Sequence, residues 1–229
     1  NNLSYADDMV LLSPSVGGLR QLLKICETYA AKHGLKYNVK KSEFMVFRGK
    51  NKLPNSIPPL TLNGAILKRV SQFKYLGHIV TEDLKDDKDI ERERRALAIR
   101  GGVLTHRFAR CTAQVKLTLF KAYCQSFYTS GLWTSFTQRS LGALRVQYNN
   151  IFRALFRLPR YCSASGMFAD AHIDDFHSIM RKTTASVLQR LRTSGNGILK
   201  MIAERLDSAV YGRFVDLHIR HVKLYSVHR

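Results

Sequence analysis

The sequence has no apolar run near the roughly 18 residues that a membrane-spanning helix needs, so a transmembrane role is excluded. It lacks a signal-peptide pattern: its first residues are polar, then acidic. The chain opens Asn-Asn with its first methionine at Met9, which predicts a fragment without its natural N-terminus. Four cysteines, Cys26, Cys111, Cys124 and Cys162, stand far apart and form no CxxC or CxxH pair. That spacing excludes a zinc ribbon or a disulfide scaffold and predicts buried, reduced thiols in an intracellular protein. Of the eight histidines, His218, His221 and His228 cluster near the C-terminus, with no acid or cysteine to complete a metal site. Repeats and low-complexity tracts are absent.

Acids are scarce too: 17 Asp+Glu stand against 37 Lys+Arg, a net charge of +20. The imbalance is local. Residues 94–229 carry 22 basic and 6 acidic side chains, whereas residues 1–93 carry 15 and 11. A polyanionic partner accounts for such a bias, because neutralising phosphates releases counterions. With 45% hydrophobic and 10% aromatic residues the chain has the material for a core, which excludes a disordered tail.

Residues 2–13, N-L-S-Y-A-D-D-M-V-L-L-S, place two short apolar flanks around an acid pair and predict a β-hairpin with the acids at its tip. A helix is predicted from Ser15 to His33, with Ser15 as cap, Gly34 as stop and Leu19, Leu22, Leu23, Cys26, Tyr29 and Ala30 along one face. Gly17 and Gly18 weaken its first turn. Phe44–Phe47 reads as a strand, followed by a loop with Pro54, Pro58 and Pro59. Asn63-Gly64 marks a hairpin across Leu60–Val70, and Phe73–Val80 reads as a last strand. Residues 82–93 hold seven acids ahead of Arg94 and Arg95, which suits the start of a long helix because acids complement the helix dipole there. Further helices are predicted near 112–130, 137–157, 173–192 and 196–224. The fold class is therefore α+β: hairpins and one helix, then an all-helical region.

Two adjacent carboxylates between apolar strands repel each other and lose solvation. Asp7 and Asp8 become favourable together if a divalent cation sits on them. Oxygen ligands at a tight turn suit magnesium, and a pair of such ions can activate a hydroxyl and stabilise a leaving pyrophosphate. A plain polar turn is the alternative.

The order of the segments that follow favours the first. Y-A-D-D at 5–8 resembles motif C of reverse transcriptases, G-L-K-Y-N-V-K-K-S at 34–42 resembles motif D of non-LTR elements, and F-K-Y-L-G at 73–77 resembles motif E, the primer-grip hairpin. The helical remainder, with stretches such as F-R-A-L-F-R-L-P-R-Y-C-S-A-S, is similar to the thumb and C-terminal segment of insect jockey-type, LINE-like elements. The resemblance implies a partial palm over residues 1–81, a thumb-like region over 82–160 and a helical C-terminal region over 161–229. It implies that Asp7 and Asp8 bind the two magnesium ions and that Lys41, ahead of Lys40, acts on the departing pyrophosphate. Tyr5 and Ala6 then lie near the primer terminus, Asn38 orders the motif D loop, and Tyr75, Leu76 and Gly77 support the primer end. Arg94 and Arg95 are assigned to the template–primer backbone. The implied partners are an RNA template, a DNA primer or RNA–DNA hybrid, and a deoxynucleoside triphosphate. Residence is intracellular, nuclear or cytoplasmic, with no targeting signal.

Basic residues also alternate with aromatics later in the chain: Arg145, Arg153, Arg157 and Arg160 with Phe152, Phe156 and Tyr161. Phosphate contact is the functional reading of that region, and core aromatics with solvated arginines the plain one.

The palm's third carboxylate, from motif A, precedes this stretch, as do the fingers. The chain is therefore expected to be inactive alone. A non-catalytic nucleic-acid-binding remnant of a decayed or domesticated element is the competing reading. A viral RNA polymerase palm fits less well, since those usually carry Gly-Asp-Asp.

Overall fold

The computed structural model describes residues 1–47, 56–205, 208, 211–217 and 219. The chain separates into two compact units, one of residues 1–73 with 81–83, the other of residues 74–80 with 84–229. The architecture is α+β, with hairpins and a single helix first and a helical region after them.

The first unit begins with strands β1 (Asn2–Tyr5) and β2 (Asp8–Leu11), antiparallel in the register Tyr5 to Asp8. Helix α1 (Val16–Lys32) starts on Ser15, whose hydroxyl accepts from the Gly18 N–H at 3.1 Å. Gly18 belongs there for a steric reason: a Cβ would come within 2.6 Å of the Ser13 hydroxyl. Gly34, at φ +65°, closes the helix, with the Leu35 N–H bonded to Ala30 O at 2.9 Å. Of the predicted apolar face, Leu23 and Ala30 are buried, while Tyr29 stays exposed against His33.

Strand β3 is shorter than the apolar run suggested. It covers Glu43–Phe44 and pairs in parallel with β6 (Lys68–Arg69). Between them β4 (Thr61–Leu62) and β5 (Ala65–Ile66) turn at Asn63 and Gly64, both at positive φ, as the Asn-Gly pair predicted. Leu23 of α1 packs with Leu60, Leu62 and Leu67, and the Glu27 carboxylate accepts the Asn63 N–H. The loop at Pro54 lies outside the described residues.

Phe73–Val80 is a hairpin rather than one strand. β7 (Gln72–Tyr75) and β8 (His78–Thr81) turn on Leu76 and Gly77, at φ +46° and +87°. The glycine is a turn residue.

In the second unit, α2 (Asp87–Arg107) packs chiefly on α4 (Gln138–Phe156). They approach closely at Gly101, where a Cβ would lie 2.5 Å from the Ile151 side chain. Helix α3 (Ala113–Cys124) ends six residues before the predicted limit, and a 3₁₀ turn at Ser130–Leu132 follows. Then come α5 (Ala164–Asp170), α6 (Phe176–Thr193) and α7 (Gly197–Glu204). Residues 211–217 are helical again, so the single helix predicted over 196–224 is interrupted after Glu204. One core cluster runs from Ile90 to Met180. At its centre the Tyr148 and Phe168 rings stack at 5.2 Å, and the buried Tyr148 hydroxyl donates to Asp174 O at 2.8 Å.

Candidate functional site

The acid pair sits where the hairpin turns. With Tyr5 opposite Asp8, the two turn residues are Ala6 and Asp7, so Asp8 opens the second strand rather than sharing the tip. Ala6, not an aspartate, takes the left-handed backbone, at φ +52°. An L-residue with a Cβ pays roughly 1–2 kcal/mol for that region, a cost often retained at functional turns. Tyr5, Ala6, Asp7 and Asp8 are all exposed, and β1–β2 forms a two-stranded sheet. Both strand edges therefore offer unpaired backbone groups among the described residues.

Lys41 belongs to a loop that Asn38 organises. The Lys41 N–H lies 3.1 Å from the Asn38 carbonyl and 3.3 Å from its side-chain Oδ1, and the Ser42 hydroxyl donates to the same carbonyl at 2.9 Å. The loop is thus fixed through backbone, leaving the exposed Lys40 and Lys41 side chains to point into solvent.

In the second unit, the turn of Tyr75, Leu76 and Gly77 lies next to a buried carboxylate network that the sequence did not reveal. Asp89, 0% exposed, accepts from five donors. They are the Ile79 N–H at 3.0 Å, Arg92 Nε at 2.7 Å, the Thr129 hydroxyl at 2.6 Å, Trp133 Nε1 at 2.8 Å and His78 Nδ1 at 3.1 Å. Burial pushes the Asp89 carboxyl up, but its side-chain donors, His78 and Arg92 foremost, hold it well below the usual carboxylate range. Asp86 accepts the Thr134 and Ser135 N–H groups, both at 2.8 Å. Burial, outweighing those donors, raises its pKa. Glu93 bonds Arg92 and Arg100. A ring of the Tyr128 side chain covers Gly77, where a Cβ would stand 3.3 Å from it.

Arg94 and Arg95 both reach back to Glu91, at 2.7 and 2.9 Å, and the Arg94 fork holds the Glu91 carboxyl down at about 2. The seven acids of 82–93 are thus more than a dipole complement: Asp86, Asp89 and Glu93 are buried and bonded. His218, His221 and His228 lie outside the described residues.

Residues 1–80 match the family model of reverse transcriptases, RNA-dependent DNA polymerases. That stretch includes the acid hairpin, the Asn38 loop and the turn at Leu76-Gly77. Neither a curated protein nor a solved structure matches the chain. Residues 1–80 are thus similar to a segment of the reverse transcriptases, the class of polymerase that the acid hairpin also resembles.

Proposed function

We propose that this chain carries the palm end of a non-LTR retrotransposon reverse transcriptase, residues 1–81, with a thumb-like region at 82–160 and a helical C-terminal region at 161–229. One observation carries the reading: Y-A-D-D forms an exposed two-residue hairpin inside the residues that match the reverse transcriptase model.

Asp7 and Asp8 fit magnesium in chemistry, being adjacent hard oxygen donors open to solvent. Among the described residues no group of three His, Cys, Asp or Glu side chains could hold a metal ion. A further carboxylate from outside them has to complete the pair. Two magnesium ions, when bound, supply activation of the primer hydroxyl and charge neutralisation at the pyrophosphate. The chain's own residues then do the rest. Lys41 brings a cation to the leaving group, where charge develops. Tyr5 and Ala6 lie beside the primer terminus, and the Tyr75–Gly77 turn supports it. Arg94 and Arg95, with the RNA–DNA hybrid as partner, give up part of their pairing to Glu91 for phosphate.

Primer extension on poly(A)/oligo(dT) with magnesium tests this. The chain alone is expected to give none. Joined to the upstream palm segment of a non-LTR reverse transcriptase, it is expected to extend, with Asp7→Asn abolishing turnover and Lys41→Ala lowering kcat about 100-fold. Extension that is indifferent to Asp7→Asn overturns the assignment. Persistent silence of the joined protein, with nucleic-acid binding intact, favours the remnant reading.

A further inference from the structure

We infer that the turn joining α4 to α5 is a binding site for single-stranded nucleic acid, built from Arg157, Arg160 and Tyr161. It deepens the polymerase reading, on which it rests only for the class of partner.

The turn is held firmly. Its apolar residues Leu158 and Cys162 pack against the main core. Arg153 donates twice to the Cys162 carbonyl, from Nε at 3.2 Å and Nη2 at 2.9 Å, and once to Asn150 Oδ1 at 3.1 Å. The Cys162 N–H closes on the Pro159 carbonyl at 3.0 Å, which makes Arg160 and Tyr161 the two corner residues of a tight turn. Arg153 is therefore structural, and the region's arginines divide into two kinds.

The other kind points outward. Arg157, Pro159 and Arg160 are exposed, and no hydrogen bond or ion pair engages the Arg157 or Arg160 side chain among the described residues. Tyr161 is 90% exposed, more than any other large apolar side chain among the described residues. An exposed ring on a fixed turn, next to one unpaired arginine in the sequence and close to another, has the chemistry of a stacking platform with phosphate contacts nearby.

Arg157 adds an independent observation. It ends α4 in the left-handed region at φ +56°, with the Leu158 N–H bonded back to Arg153 O at 2.8 Å. This is the helix stop that glycine normally fills. An arginine stands where its backbone is strained, which points to a use for the side chain.

Fluorescence anisotropy of the whole chain with labelled 15-mers of oligo(U), oligo(dT) and the matching duplex tests the site. Tyr161→Ala is expected to weaken single-strand binding about 5- to 150-fold and Tyr161→Phe to stay within about twofold of wild type. Arg157→Gln with Arg160→Gln should reduce the slope of log affinity against log salt by about 1.4, some 0.7 per phosphate contact. Arg157→Gly should raise Tm while weakening binding, opposite directions that a merely structural residue does not give. The oligo(U) and oligo(dT) arms identify which strand is preferred. Tyr161→Ala binding at wild-type strength, or duplex binding as tight and as dependent on Tyr161 as single-strand binding, overturns the proposal. Primer extension by the joined protein that needs Asp7, alongside Tyr161→Ala binding at wild-type strength, leaves the polymerase reading intact and removes this one.

Discussion

The two units are stabilised by different means. In the first, the buried apolar cluster holds four residues, Leu23, Leu60, Leu62 and Leu67, and the strands form separate two-stranded sheets. In the second, eighteen buried residues form one cluster, joined through Trp133 to the Asp89 carboxylate network. A two-stranded ribbon alone is marginal in water. The candidate catalytic hairpin therefore belongs to the lightly packed unit. Binding and catalytic groups are often drawn from such low-stability segments.

The comparison breaks most readily at Asp89. Asp89→Ala removes the acceptor for Ile79, Arg92, Thr129, Trp133 and His78 together. Removing one partner of a buried charged network costs about 3–5 kcal/mol. Trp133 is the chain's single tryptophan and itself a donor to Asp89, so its fluorescence reports the loss directly during thermal unfolding. A change under about 1 kcal/mol means that the network is not what distinguishes the second unit.

Gly101→Ala should come next. Alanine gains about 1 kcal/mol of helix propensity, yet its methyl meets Ile151 at 2.5 Å where α2 and α4 touch. Overpacking of a tight core costs about 1–3 kcal/mol, so net destabilisation is expected in chemical denaturation. The pair Gly101→Ala with Ile151→Val should recover part of it.

Acid titration is a gentler test. Asp89 and Glu91 have lowered pKa values, the latter about 2 from an ordinary 4.5. Their contribution is complete above the unfolded values and drains away as pH falls below about 4.5. Asp86, raised by burial, works the other way: it favours the fold while protonated and detracts as pH rises through its folded value. The sum should be a Trp133-detected loss of stability from pH 4.5 downward, softened by Asp86. A flat profile from pH 5 to 3 contradicts it.

How much of this the sequence disclosed follows distance along the chain. Ser15, Gly34 and Asn63-Gly64 act on neighbours within a few residues, so their caps and turns were legible. Leu76-Gly77 was not, because leucine rarely takes positive φ and Phe73–Val80 reads as one strand. The Asp89 network was hidden for another reason. Its partners Thr129 and Trp133 lie 40 and 44 residues away, and acids at a helix start already had a local explanation. Likewise Arg153 and Arg160 read alike in sequence, and only packing separates the one that pins Cys162 from the one that faces water.

The smallest expected effect is the sharpest contrast with Asp89. Asp7→Asn and Asp8→Asn alter carboxylates of the same chemistry, but exposed, with unpaired strand edges around them. Surface substitutions of this kind usually stay within about 0.5 kcal/mol. Here the sign should be slightly favourable, because each removes like-charge repulsion between adjacent acids. Unfolding of the two variants should therefore match wild type or exceed it marginally, the excess shrinking as salt screens the repulsion. A clear loss of stability in either variant makes the acid pair part of the scaffold. A marginal gain leaves the pair with a cost to folding and a use elsewhere, which is the signature of residues kept for chemistry.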